Sequence, residues 1–278
     1  MKHFILLFSL VFLIQIHAQS EINYGENSEK GKFLKVNNIN LYYEIYGEGE
    51  PILLIHGNKT GIKGWKPQIE YFSKNHLVIA VDCRGRGKSE LGNDSLSYDL
   101  IADDLLKFLE ILKIDSISII GKSDGGIVAL LMGISGSKYI KKIVSFGANV
   151  ACDSTAFFPE TINEIKTERK IADEMILKKD LSKNWKIEQQ RNRMMEFQPH
   201  ISQSELAKIN VPVLVMSCDR DVIKEEHTLS IYNALKLANL CILPGEVHRM
   251  PSLNPLLFNV TVESFIINPF KNNSYRFK

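Results

Sequence analysis

At 278 residues, with a formal net charge of +2 and 45% apolar residues, the chain can bury a substantial core, as one α/β domain with an insertion or as two small domains. No long basic block is present to track a phosphate backbone, which removes the electrostatic basis for nucleic-acid binding. The cysteines Cys83, Cys152, Cys218 and Cys241 are scattered, with no CxxC pair and no His at ligand spacing; they read as free thiols serving as small apolar residues, not as a disulfide framework or a metal site.

The chain opens on Lys2 and His3, an almost wholly apolar run from Phe4 to Ile16, and then His17–Ala18–Gln19–Ser20. This is the pattern of a charged n-region, an h-region and a small-residue cleavage site. The run is short of the ~20 apolar residues that span a bilayer. Residues 1–18 are therefore expected to be a signal peptide, and the mature protein to be secreted or periplasmic with no stable membrane insertion.

Beyond a polar stretch, Phe33–Val36 and Asn40–Tyr46 read as a hairpin turned at Asn37–Asn38. Pro51–Ile55 and His76–Val81 are continuous apolar runs of the kind buried in a parallel sheet. A short helix is expected around Pro67–Ser73. Tyr98 to Leu112 carries apolar residues at helical spacing, among them Ile101, Leu105, Phe108 and Leu109. The β-branched run Ile117–Ile120 then stops at Gly121–Lys122–Ser123–Asp124–Gly125, and a small-residue helical segment follows at once to about Ser135. Ile140–Phe146 is the next strand.

From Ala151 to about Lys208 the strand–helix rhythm breaks into charged, helical sequence (Glu160–Lys179, then Trp185–Met195). It resumes with a strand at Val211–Ser217, a helix at Lys224–Leu237, a strand at Leu240–Leu243 and a helix near Pro255–Ile267. Alternation of this kind gives a mostly parallel sheet with helices on both faces. The expected division is a core in two parts, 19–150 and 209–270, an inserted helical cap at 151–208, and a basic tail at 271–278. No internal repeat or low-complexity segment is present, and nothing in the sequence fixes an oligomeric state.

The Gly-x-Ser-x-Gly pentapeptide is a weak signal alone, but its setting of strand, sharp turn and helix is what a nucleophile elbow requires. Glycines at both ends remove the Cβ atoms that so tight a bend would press into backbone. The helix start behind Ser123 offers backbone N–H groups and the positive dipole end to developing negative charge. A serine hydroxyl needs a base, and the base an orienting group. Two later loops at strand ends carry such groups: Cys218–Asp219–Arg220–Asp221, and Pro244–Gly245–Glu246–Val247–His248. The order Ser, Asp, His separates this arrangement from the other common serine-hydrolase orders. The glycines around Arg84 lack the ending of a phosphate loop, and Arg84 is expected to brace the sheet. His76, His200 and His227 read as ordinary structural or surface residues.

From about Phe33 to Ile267 the chain resembles the α/β-hydrolase fold superfamily. The resemblance is carried by His56–Gly57 after the third strand, Asp82-x-Arg84–Gly85-x-Gly87-x-Ser89 after the fourth, the Gly121–Gly125 elbow, and the late Asp221 and His248. The elbow, together with Phe146–Gly147–Ala148–Asn149, is most similar to the valacyclovir hydrolase (biphenyl hydrolase-like) group of capped esterases, in which the residue at Lys122 is often aromatic. The resemblance implies Ser123 as nucleophile, His248 as base and Asp221 as the acid, with Asp219 its rival. Backbone N–H groups of Asn58 and Asp124 would form the oxyanion hole, and His56 would be structural. It further implies a substrate-binding role for the Asp124 side chain, which in that group helps recognise an α-amino group; the alternative is that Asp124 turns away and pairs with Lys122 or a cap lysine. The expected protein is an exported, cofactor-free and metal-free serine hydrolase acting on a small-molecule ester. Cofactor-free haloperoxidases and C–C bond hydrolases use the same triad and remain open, as does a non-catalytic ligand-binding relative. Epoxide hydrolases and haloalkane dehalogenases place a carboxylate where Ser123 stands, which argues against those activities.

Overall fold

A computed structural model describes residues 22–271; the expected signal peptide and, apart from Lys271, the expected basic tail lie outside the described residues. The strands are β1 (Gly31–Val36), β2 (Ile39–Tyr46), β3 (Glu50–Ile55), β4 (His76–Val81), β5 (Ile117–Lys122), β6 (Ile140–Phe146), β7 (Val213–Arg220) and β8 (Ala238–Val247). They form one sheet in the order β1-β2-β4-β3-β5-β6-β7-β8. β1 and β2 run antiparallel to their neighbours, and every pairing from β4 to β8 is parallel. Asn37 and Asn38 take φ of 42° and 64°, the left-handed pair that a two-residue hairpin turn demands.

The helices are α1 (Lys66–Phe72), α2 (Tyr98–Ile111), α3 (Asp124–Ile134), α4 (Pro159–Leu177), α5 (Trp185–Phe197), α6 (Gln203–Leu206), α7 (Glu225–Ala234), α8 (Met250–Leu253) and α9 (Pro255–Ile267). The apolar strands are buried on both faces, as their unbroken hydrophobicity requires. Leu53, Ile55, Ile79 and Val81 point into one core with Leu105 and Phe108 of α2 and Ile127 of α3. Their neighbours Ile52, Leu54, Val78 and Ala80 point into the opposite core with Ile69 and Phe72 of α1 and Phe258 and Val262 of α9. Helices α4, α5 and α6 lie between β6 and β7.

Several boundaries differ from the sequence expectation. β8 covers ten residues, running through Pro244 and Gly245, and β7 continues to Arg220. Proline is tolerated because β8 is the edge strand of the sheet. α6 and α8 are single turns too short to show periodicity. The longer strands have a consequence for the site. β7 and β8 shift register between Cys218 and Arg220 and then pair Arg220 with Val247. The next residues on the two strands are Asp221 and His248.

Candidate active site

Ser123 stands between β5 and α3 with φ 55° and ψ −121°, a backbone state that costs a non-glycine residue roughly 1–3 kcal/mol and persists only where the surroundings enforce it. They do so here. The Ser123 N–H donates to Phe146 O at 2.7 Å, and Ser123 O accepts from the N–H groups of Gly126 and Ile127 at 2.8 and 3.1 Å. A Cβ on Gly121 would lie 2.1 Å from Gly125 O, and one on Gly125 would lie 2.0 Å from Ile55 O. Both positions therefore have to be glycine for the elbow to close.

His248 and Asp221 meet across the register shift: His248 Nδ1 lies 2.6 Å from Asp221 Oδ1. Asp221 is 7% exposed and also accepts from Ser217 Oγ and the Ile223 N–H, both at 3.2 Å. This shell fixes the ring orientation and leaves Nε2 facing the other way. A Cβ on Gly147 would sit 2.8 Å from His248 Cε1. Since Ser123 is bonded to Phe146, the serine and the histidine flank the same Phe146–Gly147 backbone. Asp219, the rival acid, is exposed, and its carboxylate accepts the Gly245 N–H at 2.7 Å. The structure brings Asp221 to the histidine and uses Asp219 to hold the turn of β8.

The loop after β3 lies against the serine, with the Gly57 position for a Cβ only 3.2 Å from Ser123 Cβ. His56 is structural. Its Nδ1 lies 2.8 Å from Gly57 O, and its Nε2 accepts the Cys83 N–H at 3.0 Å. Burial pulls its pKa down to about 4, so the ring is neutral with Nδ1 as donor. Thr60 N–H and Oγ1 also reach Gly57 O, at 3.4 and 3.3 Å. In a planar trans peptide this carbonyl direction sends the Asn58 N–H the opposite way. Asn58 O accepts from Arg86 Nε at 2.6 Å, and Asn58 Oδ1 accepts from Arg191 Nε at 3.0 Å.

Asp124 supplies the first N–H of α3, but its carboxylate points into the protein. Oδ1 accepts from the Tyr98 hydroxyl at 3.0 Å, and Oδ2 faces Arg86 Nη2 at 3.8 Å. The Asn58 amide is near enough to help hold its charge without closing a well-aligned hydrogen bond. Burial pushes the Asp124 carboxyl up, and Arg86, foremost among its neighbours, offsets part of that. Of the local pairings expected for an inward Asp124, neither Lys122 nor a lysine of the insertion is its partner. Lys122 instead lies near Arg249 and Asp221; burial first and then Arg249 lower its pKa.

Arg86 and Arg191 are absent from the sequence reading. Arg86 sits among glycines two residues after Arg84, and the two differ in use. Arg84 is fully buried and spent on Asp104, with Nε to Oδ2 at 2.7 Å and Nη2 to Oδ1 at 2.8 Å, the bracing role expected of it. Burial pulls Arg86 down to about 10. Arg191 comes from α5, within the unbroken polar run Glu188–Arg193, which gives no signal of which side faces the core. Among the described residues no group of three or more His, Cys, Asp or Glu side chains is arranged to hold a metal ion, and the four cysteines are free thiols.

A family model described as alpha/beta hydrolase fold matches residues 50–167. The chain is 33% identical over 108 residues to an (E)-2-((N-methylformamido)methylene)succinate hydrolase of Acinetobacter baylyi, which covers 38% of this chain and 41% of that protein. It is 26% identical over 245 residues to the serine hydrolase BPHL of Homo sapiens, 83% of this chain and 84% of that one. The chain spans about two fifths of the length of the first curated relatives it matches. The crystal structure of MGS-M2, an alpha/beta hydrolase enzyme from a Medee basin deep-sea metagenome library, matches with a TM-score of 0.76 at 19% identity, over 87% of this chain and 99% of that one.

Proposed function

We propose that this chain, a member of the α/β-hydrolase fold superfamily, is a serine hydrolase that cleaves small carboxylic esters through an acyl-enzyme. The observation that carries the reading is the placement, at the carboxyl ends of the strands and around the Phe146–Gly147 backbone, of a strained Ser123 and of His248 held 2.6 Å from the buried Asp221.

In the first half-reaction Ser123 Oγ attacks the ester carbonyl while His248 Nε2 takes its proton. Asp221 keeps the proton on Nδ1 and stabilises the imidazolium that forms. The tetrahedral oxyanion is held by the backbone N–H groups of Asn58 and Asp124, the second at the positive end of α3. Collapse expels the alcohol, which takes the proton from His248. Water then enters and loses a proton to His248 as its oxygen attacks the acyl carbon. The second collapse breaks the bond to Ser123 Oγ, which takes the proton back from His248, and the acid is released. The similarity to serine hydrolase BPHL over 83% of the chain supports a serine nucleophile. The apolar run Phe4–Ile16 supports export, with a mature chain that begins near Gln19.

A fluorophosphonate probe tests the chemistry. It should label the wild type at Ser123 and fail on Ser123→Ala, while p-nitrophenyl esters of increasing chain length define the acyl preference. Wild type that stays unlabelled beside a labelled control esterase rules the mechanism out. N-terminal sequencing of protein from its native host tests export, and an intact Met1 or Lys2 counts against it.

A further inference from the structure

Two buried guanidinium groups converge on one residue of the loop behind the serine, and they come from different parts of the chain. Arg86, in the loop after β4, donates through Nε to the Asn58 carbonyl at 2.6 Å. Arg191, on the inserted helix α5, donates through Nε to the Asn58 side-chain oxygen at 3.0 Å. We infer that these two arginines are positioning residues that fix the Asn58 peptide as an oxyanion donor, so that the hole is fully formed only while α5 is seated on the core. The inference rests on the serine-hydrolase reading.

The physical need is strict. An oxyanion donor acts only within about 2.7–3.1 Å of the charge that develops, and losing one donor costs about 10²–10³-fold in turnover. The peptide before Asn58 is fixed by His56 and Thr60 at Gly57 O. The peptide after it is fixed by Arg86, and the side chain by Arg191. With each flanking unit pinned, the torsions that aim the Asn58 N–H have little freedom. Charge-assisted hydrogen bonds suit this task because they are roughly twice as strong as neutral ones. Each arginine is itself braced. Arg86 faces Asp124 at 3.8 Å, and Arg191 Nη1 holds Glu188 Oε1 at 3.0 Å within α5.

Only Arg191 belongs to the insertion, which makes it the coupling element. α5 and the segment just beyond it hold the core through further polar bonds, from Leu96 N–H to Gln190 Oε1 at 2.9 Å and from Tyr98 N–H to Gln198 Oε1 at 3.3 Å. A displacement of α5 therefore pulls directly on Asn58.

The experiment is a double-mutant cycle on the full chain with p-nitrophenyl butyrate, using Arg191→Ala, Asn58→Ala and the pair. Asn58→Ala keeps the donating N–H and removes the side-chain amide, both the oxygen that Arg191 holds and the nitrogen near Asp124. Each single change should lower kcat about 10- to 100-fold, a fraction of the loss of a whole donor, with KM within about twofold. The double variant should be no worse than the poorer single, because both remove one bond. Ethylguanidinium should restore Arg191→Ala and leave Asn58→Ala unchanged. Arg191→Lys, which keeps the charge, serves if Arg191→Ala does not fold, and should show an intermediate loss. An unchanged kcat, losses that multiply in the double variant, or an effect confined to KM or to melting temperature overturns the inference. Wild type that neither turns over the ester nor labels at Ser123 overturns the underlying reading along with it.

Discussion

The sheet and the helices inserted between β6 and β7 are held by different forces. The central strands are fully buried: Leu53, Leu54 and Ile55 on β3, and Ile119 and Ile120 on β5, all lie at 0% exposure. The two long helices of the insertion bury little apolar surface. α4 buries only Ile165 and Ala172, and the buried residues of α5 are Arg191, Asn192 and Met194. At its far end Leu177 and Leu181 are 83% and 94% exposed. The insertion meets the core through a few apolar side chains, Met194, Ile201 and Leu206 among them, and through polar bonds such as Arg191 to Asn58 and Lys59 to Glu168. Apolar burial is non-directional and scales with area, so it gives the sheet its stability. Hydrogen bonds are directional and modest in net worth, so they can aim the insertion without anchoring the fold.

The widest separation of the two regions should be in catalysis. His248→Ala should lower kcat/KM by at least about 10⁴-fold with the melting temperature nearly unchanged, since triad members act as a unit. Asp221→Asn should follow with a smaller loss, and Asp219→Asn should stay near wild type. Steady-state kinetics on one ester checks all three, and an Asp219→Asn defect larger than that of Asp221→Asn means the acid is misassigned.

Stability should separate the regions next. Leu54→Ala, at a fully buried position on β3, should cost about 2–5 kcal/mol in urea denaturation. Leu177→Ala and Leu181→Ala should stay within about 0.5 kcal/mol of wild type, as exposed substitutions do. Comparable losses in both regions would mean that the insertion is part of the cooperative core.

Most of the sheet was legible because a strand buried on both faces has to be apolar throughout, and β4, β6 and α9 begin and end where the sequence changes character. β8 was cut short at Leu243 because Pro244 and Gly245 normally punctuate structure; an edge strand escapes that rule. The elbow, Asp221 and His248 were legible because their chemistry constrains both residue type and chain order. Arg86 and Arg191 were not. Their role depends on which backbone oxygen a long polar side chain reaches, and neither periodicity nor spacing encodes that.

The pH response of stability should also belong to the sheet edge, and two groups there oppose each other. His56 is pulled down to about 4 by burial. Below its ordinary value near 6.5 the unfolded chain takes up a proton that the folded chain refuses, so stability falls toward pH 4 by up to about 3 kcal/mol. Asp82 is pushed up to about 6, chiefly by burial. The folded chain protonates it first, so stability rises by a similar amount as pH drops from 6 toward 4. The two contributions should therefore nearly cancel in the wild type over this window. Asp82→Asn removes the compensating gain and should show a steep acid-side decline from its own value at pH 7. Urea midpoints at pH 7, 5.5 and 4.5 check this, and a flat Asp82→Asn profile would mean that His56 titrates normally.

The smallest expected effect concerns Asp124. A carboxylate one residue after the nucleophile invites the idea that it captures a substrate ammonium. The geometry favours an inward role. One oxygen is taken by Tyr98, the other is buried facing Arg86, and the residue is 7% exposed. An ammonium arriving there would have to displace the Arg86 contact and sit close to two guanidinium groups, Arg86 and Arg191, both of which already act on the Asp124 charge. The repulsion would offset the charge-assisted bond it gained. A glycyl ester and its des-amino analogue should therefore be hydrolysed with kcat/KM values within about threefold, a difference under 1 kcal/mol in the barrier, after each is divided by its rate with hydroxide to remove the inductive activation by the amino group. Asp124→Asn should leave that ratio unchanged while lowering the melting temperature, because it deprives buried Arg86 of its counter-charge. A tenfold or greater preference for the glycyl ester that vanishes in Asp124→Asn would place the carboxylate in the substrate pocket and reverse this assignment.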